Sequence, residues 1–539
     1  MRADLVESSV TVSSTHPASS SAHSSLTARL EWLRGRAALV RRGLRGVEKE
    51  SLRVTADGHL SQLPHPRTLG AALTHPYITT DYSEALPELV TPPQHSTWET
   101  LQFLCDVHAF IHRRLGSELL WPASMPCTLG SSDEIPIAYY GPSNIGRMKT
   151  VYRRGLGHRY GRAMQAIAGV HFNYSLPQEF WPEYREREQR REPLSDFRSV
   201  ELMGLVRNYR RCAWLVTYLF GASPVLSKSF RPEGHELLTE LDRDTWHAPF
   251  ATSLRMSDLG YRNKSQGRLS IGANSLAEYI TGMRAAVTTE DPRYAAIGVV
   301  VDGDYRQLNA NILQIENEYY STIRPKPSKA SSHRPLLALE RTGIEYVEVR
   351  TLDLNCADPV GMSQNELRLL EALLIHCLLA DSPPISSAEQ TEIDSRDLTV
   401  AREGRRPGLM IVHGGRQRPL ADCGRELLRE VAGVAELLDA DGAGYVAAVE
   451  VAAAALHDPE RTPSAALLAA LNREHISFFE YTLGLAESHA AYFRELTLAP
   501  EREESLAVTA RRSFEEAEAL VHKDPRSFEV YLRDYFAAV

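Results

Sequence analysis

The sequence predicts an α+β fold built on a mixed or mainly antiparallel sheet, followed by a helical C-terminal region. Two observations predict the sheet: the strand-like runs lie far apart in the chain, and they do not alternate regularly with helices, as a doubly wound parallel sheet requires. The C-terminal region is predicted because strand patterns vanish after about residue 420, where alanine, leucine and glutamate dominate. We therefore expect a disordered Ser/Thr-rich tail at 1–25, a main domain at 26–420, and helices at 421–539 that pack on it.

Alternation of apolar and polar residues identifies the strands of the predicted sheet. These segments are 47–54, 77–80, 88–91, 169–176, 308–316 and 344–354. Helical spacing of apolar residues identifies the helices of the main domain. These segments are 25–40, 97–115, 199–220, 274–287 and 363–380. The last helix opens with Ser363 and Glu366 in the spacing of a capping box.

Composition restricts the class of protein. With 539 residues, the chain exceeds the length at which a single hydrophobic core usually stops growing. Its net charge of -9 argues against general affinity for nucleic acid or for anionic membranes. The longest uncharged apolar run, 212–227, is shorter than the roughly 20 residues that span a bilayer. The six cysteines have no zinc-site or disulfide-scaffold spacing, so we expect reduced thiols in a cytoplasmic protein.

Acidic residues recur on the polar faces of the predicted strands. In GVEKESLRV, at 46–54, Glu48 and Glu50 are two positions apart and share one side of the strand, whereas Lys49 points to the other side. Taken alone, this pair is most simply an exposed acidic surface. If the two glutamates point inward, Lys49 is the position that we expect to tolerate substitution.

Three other segments add polar side chains to the same kind of face. ITTDYSEALPELV supplies Asp81 and Glu88, HFNYSL supplies His171, and IEYVEVRTLDL supplies Glu348 and Arg350. If these faces converge in one sheet, the carboxylates repel one another and a cation is the simplest way to neutralise them. Carboxylates with one imidazole and no thiolate suit Mg²⁺ or Mn²⁺, and magnesium in turn suggests a phosphate-bearing substrate.

Two basic or polar segments complete the set of candidates. GPSNIGRMKTVYRRGLGHRYG, at 141–161, carries Lys149 and Arg153 among glycines, which suits phosphate although it is no Walker motif. Nucleic-acid binding is the alternative, and the negative net charge opposes it. ATSLRMSDLGYRNKSQ, at 251–266, places Arg255 and Tyr261 in a polar loop, which either holds a substrate carboxylate or is simply solvated.

Ten blocks of sequence, in order from about residue 30 to 410, carry a resemblance to a known family. They include GVEKESLRV, HPRTLGAALTHPYITTDYSEALPELVTP, YGPSNIGRMKTVYRRGLGHRYG, AGVHFNYSLP, LQIENEYYSTIRPK and GIEYVEVRTLDLN. These blocks resemble bacterial glutamate-cysteine ligases of the proteobacterial type. That family is similar in fold to glutamine synthetase, in which a curved, mainly antiparallel sheet forms an active-site funnel surrounded by helices.

The resemblance implies a reaction. ATP would phosphorylate the γ-carboxylate of L-glutamate, and the amine of L-cysteine would attack the γ-glutamyl phosphate. The products would be γ-glutamylcysteine, ADP and phosphate, in the first step of glutathione synthesis. A γ-glutamyl ligase with a different amine acceptor is the alternative, because its phosphorylation half-site would look the same. No obligate protein partner is implied.

The resemblance also implies roles for individual residues. The magnesium ligands would be Glu48, Glu50, Asp81, Glu88, His171 and Glu348. Arg350 would bind the transferring phosphate and, with Glu50, is a predicted catalytic residue, while Lys149 and Arg153 would assist in binding phosphate.

The remaining implied roles concern the amino-acid substrates. Arg255 would hold a substrate carboxylate, and Tyr152, Tyr261 and Tyr320 would shape the pocket around cysteine. No role is assigned to Glu84, Glu316 or Glu318. Because proline cannot donate to a central sheet ladder, Pro87 predicts that Glu88 lies at the start or edge of a strand.

Overall fold

The structure, a computed structural model, describes residues 19–232, 234–260, 269, 271–328, 334–440 and 442–537. Its strands are β1 (Leu44–Glu50), β2 (Arg53–Val54), β3 (Ile78–Thr80), β4 (Pro87–Val90), β5 (Leu119–Leu120), β6 (Val170–Ser175), β7 (Val225–Ser227), β8 (Thr239–Glu240), β9 (Thr245–His247), β10 (Val300–Val301), β11 (Asp304–Tyr305), β12 (Ile323–Lys326), β13 (Tyr346–Leu352), β14 (Met410–His413) and β15 (Arg416–Pro419).

The helices surround this set of strands and occupy most of the chain after β15. They are α1 (Ser19–Arg34), α2 (Ala38–Arg41), α3 (Thr97–His112), α4 (Asn144–Tyr160), α5 (Phe180–Arg187), α6 (Leu194–Phe220), α7 (Leu276–Thr288), α8 (Pro292–Ile297), α9 (Pro335–Thr342), α10 (Gln364–Leu379), α11 (Ser387–Glu403), α12 (Leu420–Leu438), α13 (Tyr445–His457), α14 (Pro463–Glu474), α15 (Phe478–Glu495), α16 (Pro500–Lys523) and α17 (Phe528–Ala537). Among the described residues, no helix combines the length and the apolar character needed to cross a membrane.

A six-stranded sheet organises the main domain. Its strand order is β12-β13-β6-β1-β4-β3, and every neighbouring pair is antiparallel. This confirms the prediction of a mainly antiparallel sheet. The strands pair across long stretches of chain, so the helices between them can cover one face of the sheet.

One face of the sheet is apolar and buried. Val47 on β1 pairs with Phe172 on β6, which pairs in turn with Val349 on β13, and all three are fully buried. Helix α3 packs on β1 and β4, and α6 packs on β12 and β13. Because side chains alternate along a strand, burying this row leaves the neighbouring positions, Glu48 among them, on the opposite face.

Most predicted elements are found within a few residues of their predicted limits. The exception is the strand predicted at 308–316: this segment is irregular and leads into a 3-10 turn at Glu316–Glu318. Side chains in this segment bind the backbone: Gln314 Oε1 accepts from the Leu308 N–H at 3.0 Å, and Asn309 Nδ2 donates to the Gln314 carbonyl at 3.0 Å. Such local hydrogen bonds compete with strand pairing. The prediction of a strand here is wrong.

Two further boundaries differ from the predictions. The predicted strand at 47–54 is divided into β1 and β2, which belong to different sheets. Helix α1 begins at Ser19, inside the tail predicted to be disordered at 1–25, while residues 1–18 lie outside the described part of the chain. Once Leu26 and Leu33 are buried, extending their helix toward the N-terminus adds one hydrogen bond per residue, which explains the earlier start.

The C-terminal region is helical, as predicted, and contacts the main domain. Arg45 on β1 forms a buried ion pair with Glu371 on α10, and the hydroxyl of Tyr445 on α13 donates to Glu371 at 2.6 Å. Helix α15 packs on α3, behind the central sheet. All six cysteines are free thiols, as the sequence predicted.

Candidate active site

The polar face of the sheet lines a cavity of about 880 Å³. Strand register brings its acidic residues together: Glu48 lies opposite His171 on β6, and Glu50 lies opposite Glu88 on β4. Glu348 on β13 faces the same cavity. Four strands that are distant in sequence therefore place their charged side chains in one space.

Three of these side chains form a group that could hold a metal ion. Ligand atoms of Glu48, Glu88 and His171 all lie within 4.8 Å of one another. His171 Nδ1 lies 3.3 Å from Glu48 Oε2 and 3.7 Å from Glu348 Oε1, and its Nε2 lies 4.0 Å from Glu50 Oε1. The imidazole is thus at the centre of the predicted ligand set.

Burial, and after it the charge of neighbouring carboxylates, raises the pKa of two glutamates in the cluster. Burial, and next the charge of Asp81, raise the pKa of Glu50 to about 8. Burial raises the pKa of Glu88 well above its ordinary value, and the neighbouring carboxylates raise it further. Both shifts favour the protonated carboxyl, and positive charge placed in the cluster opposes them.

Burial lowers the pKa of His171, and the positive charge of Arg350 lowers it further, against the raising effect of Glu48 and Glu348. This shift favours the neutral imidazole, which is the form that binds metal. A neutral imidazole among carboxylates is the donor set that hard or borderline divalent cations accept. The residues present therefore fit Mg²⁺ or Mn²⁺.

A basic group borders the acidic cluster on the β13 side. Arg350 Nη1 lies 3.1 Å from Glu348 Oε1, and Lys326 Nζ on β12 lies 3.2 Å from Glu348 Oε2. Burial acts to raise the pKa of Glu348, but Lys326 and then Arg350 outweigh it and hold that pKa well below its usual value. Glu348 is therefore ionised, and positive charge adjoins the acidic cluster.

Helix α4 supplies the other predicted basic residues. Lys149 and Arg153 both line the cavity and lie over the ring of Tyr140, at 5.1 and 4.5 Å from its centre. Burial, and next the charge of Arg153, lower the pKa of Lys149 to about 8. Arg153 Nε also donates to the backbone carbonyl of Asp81, so it anchors the turn that carries this acidic residue into the cavity.

Some of the predicted substrate-binding residues line the cavity and others do not. Tyr152 and Tyr320 line the cavity, and Tyr261 lies outside the described residues. Arg255 is buried behind the cavity wall, where its Nη1 lies 3.6 Å from Asp353 Oδ1 and its Nη2 donates to the Arg350 carbonyl at 3.2 Å. It contacts the backbone of the strand that carries Arg350 and is not among the described residues that line the cavity.

The glutamates without a predicted role have structural partners. Glu84 accepts the backbone N–H groups of His65 and Tyr139, each at 2.7 Å. Glu318 forms a fully buried ion pair with Arg159 at 3.0 Å. Pro87 is the first residue of β4, as predicted, although β4 lies inside the sheet between β1 and β3.

Sequence reasoning gave no role to Lys326, which lines the cavity, or to Asn173, which it had placed on the polar strand face of His171. Lys326 lies on β12, a strand that was not predicted, and Asn173 Nδ2 donates to Glu48 Oε1 at 3.0 Å. The alternating basic positions of IRPK, together with a proline that favours an edge strand, were the available signal for β12. Asn173 shares the strand face of His171, which was the signal for its position.

Comparison with known proteins identifies the family to which this sequence is similar. A family model described as Glutamate-cysteine ligase matches residues 30–400. A glutamate-cysteine ligase from Pseudomonas putida is 45% identical over 516 residues, which are 95% of this chain and 98% of that protein. Another from Azotobacter vinelandii is 47% identical over 506 residues, which are 93% of this chain and 96% of that protein.

A solved structure confirms the fold class. The crystal structure of a glutamate-cysteine ligase from Francisella tularensis, in complex with AMP, matches with a TM-score of 0.87 at 34% identity and covers 92% of this chain and 98% of that chain. Family model, relatives and fold agree over most of the sequence. The chain therefore belongs to the glutamate-cysteine ligase family.

Proposed function

We propose that this enzyme joins the γ-carboxylate of L-glutamate to the amine of L-cysteine by way of γ-glutamyl phosphate, with ATP as the phosphoryl donor. The products are γ-glutamylcysteine, ADP and phosphate, in the first step of glutathione synthesis. One observation carries the proposal: the group of Glu48, Glu88 and His171 lies beside Arg350 in a single large cavity. Phosphoryl transfer needs this combination of a metal-binding group and a fixed cation.

We assign the divalent cation to the acidic cluster. Glu48, Glu50, Asp81, Glu88, His171 and Glu348 hold Mg²⁺ or Mn²⁺ in this proposal. A divalent ion held by these residues would supply the positive charge that the phosphoryl oxygens need during transfer. The raised pKa values of Glu50 and Glu88 support it, because a bound cation favours their ionised forms.

The protein's own cations act on the phosphoryl group. Arg350 is fixed by Glu348 at one side and keeps a full charge, because neighbouring carboxylates raise the pKa of its guanidinium against the effect of burial. It therefore offers a preorganised donor to the developing negative charge. Lys149 and Arg153 assist from α4, on another wall of the cavity.

Backbone and side-chain hydrogen bonds keep the acidic residues in position for this reaction. The Gly169 N–H donates to Glu50 Oε2 at 2.7 Å, and Asn173 holds Glu48. In this proposal Tyr152 and Tyr320, which line the cavity, shape the pocket for the amine acceptor. Arg255 keeps the role of holding a substrate carboxylate, and the role of Tyr261 stays a prediction from the sequence. We place the reaction in the cytoplasm, with small molecules as the only partners.

The identity of the acceptor is tested directly. Purified enzyme receives ATP, Mg²⁺, L-glutamate and one of a panel of amines, including L-cysteine, L-alanine, L-serine and ammonia, and ADP release is measured together with product mass. We expect cysteine to give the fastest release and a γ-glutamylcysteine product. Faster turnover with another amine would contradict cysteine as the acceptor and favour the alternative, a γ-glutamyl ligase that uses that amine.

A further inference from the structure

The C-terminal helix α17 is built into the wall of the active site. Phe528 and Leu532 pack in an apolar cluster with Met148 and Val151 of α4 and with Ile315. This contact buries apolar side chains of both α17 and α4, which stabilises the packing of α17 on α4. The last helix of the chain therefore adjoins the helix that carries Lys149 and Arg153.

A buried ion pair fixes the end of α17 that carries Tyr535. Arg334 Nη2 lies 3.2 Å from Glu316 Oε1, and both side chains are almost completely buried. Arg334 Nη1 donates to the Tyr535 carbonyl at 2.8 Å, and its guanidinium lies 4.6 Å from the centre of the Tyr535 ring. Glu316, to which the sequence assigned no role, thus orients the arginine that holds the backbone and ring of Tyr535.

Apolar and aromatic side chains line part of the cavity, in contrast to the acidic cluster. They include Ile145, Met148, Ile315, Pro335 and Tyr535, and of these Met148, Ile315 and Tyr535 belong to or pack on the apolar cluster in which α17 is seated. Glutamate and cysteine are small amino acids with a carboxylate and an ammonium group, and these side chains offer neither of them a charged partner. ATP is the one substrate of the proposed reaction with a large planar group that benefits from apolar and aromatic contacts.

We propose that Tyr535 is a nucleotide-binding residue, and that α17 and the Glu316 and Arg334 pair hold its ring against the adenine base. The inference rests on the proposed function, since it takes ATP as a substrate. It places the triphosphate toward the acidic cluster and the base toward the C-terminus of the chain. Tyr535 makes its contact through the ring, so its hydroxyl is not required.

Calorimetric titration of the full-length chain with AMP tests this assignment without turnover. Tyr535→Ala should weaken AMP binding about tenfold, the range for loss of one base-stacking side chain. Tyr535→Phe should bind AMP as the parent does, because the ring is kept. In turnover assays, Tyr535→Ala should raise the KM for ATP and leave the KM values for glutamate and cysteine unchanged.

Tyr531→Ala is the matched control. Tyr531 lies one turn earlier on α17, and its ring contacts the rings of both Phe528 and Tyr535, each with centres 6.4 Å away, but it is not among the described residues that line the cavity. It should bind AMP like the parent if the ring of Tyr535 acts on the nucleotide. The assignment is overturned if Tyr535→Ala binds AMP with the parent's affinity, or if both alanine variants weaken AMP binding equally, which indicates loss of helix docking.

The two proposals fail separately. If the parent binds AMP but releases no ADP with glutamate and any amine of the panel, the proposed reaction is wrong. The calorimetric comparison of Tyr535→Ala with Tyr535→Phe still decides the role of the ring. If the reaction proceeds and the AMP affinities of these two variants are the same, the role of Tyr535 is wrong and the reaction stands.

Discussion

Lys49 Nζ lies 3.0 Å from Nε2 of His108, behind the strand whose front face carries Glu48 and Glu50. The same atom donates to Ser51 Oγ at 2.9 Å, and only 2% of Lys49 is exposed. Lys49 points away from the cavity, as the alternation of side chains predicted. Because it is buried, however, we expect the opposite of the tolerance to substitution that the sequence suggested.

Substitution of Lys49 should affect stability according to the volume removed. Lys49→Ala leaves a cavity behind β1 and should lower the free energy of unfolding by about 2 to 4 kcal/mol. Lys49→Met fills nearly the same space without a buried amine, so its loss should be within about 1 kcal/mol. Urea unfolding of the parent and both variants measures this, and a neutral Lys49→Ala contradicts a packing role.

Removing the fixed cation of the site should reduce catalysis and spare the fold. Arg350→Ala takes away the donor that we assign to the phosphoryl group, so kcat should fall at least about 100-fold. Arg350→Lys keeps a charge but not the planar fork, and should recover part of the loss. Thermal melting is the control: if activity falls only in proportion to folded protein, Arg350 has a structural role alone.

The acidic cluster should show its metal dependence in two independent measurements. Treatment with EDTA should abolish ADP release, and added Mg²⁺ should restore it. Mg²⁺ should also raise the Tm of the metal-free protein, because a ligand that binds only the folded state stabilises it. Glu48→Gln should remove most of this shift, and an equal Mg²⁺ effect on parent and variant contradicts the ligand assignment.

For the acidic residues that lie on strands, the alternation of side chains was sufficient to predict which face of the sheet they occupy. Strand β6 lies within one residue of the predicted segment at each end, and His171 and Asn173 share its polar face. Convergence itself could not be read from this pattern, because Glu48 and His171 are 123 positions apart and meet only through strand register. The resemblance to a family supplied that long-range information.

Other features were hidden because they depend on tertiary contacts. The strand predicted at 308–316 does not form, since Asn309 and Gln314 satisfy nearby backbone groups with their own side chains. The burial of Arg255 beside Asp353 likewise cannot be identified from residue spacing, while its role in holding a substrate carboxylate stays a prediction.

A buried carboxyl outside the acidic cluster should make the free energy of unfolding fall as the pH rises. Glu366 lies in the first turn of α10, and burial, followed by the charge of Asp358, raises its pKa from 4.5 to about 8. The folded protein then binds a proton that the unfolded chain releases, so this contribution is complete below pH 4.5 and is lost as the pH rises to about 8. The slope is at most about 1.4 kcal/mol per pH unit.

The variant Glu366→Gln removes this titration while keeping a neutral side chain of the same shape. Relative to the parent, its free energy of unfolding should therefore increase between pH 5 and pH 8, as measured by urea titrations across this range. Ser386→Ala is the matched control, because it removes the cap of helix α11, at a cost of about 1 kcal/mol, and leaves Glu366 and its hydrogen-bond partners in place. Parallel pH profiles for the parent and Glu366→Gln would show that Glu366 is ionised in the folded protein.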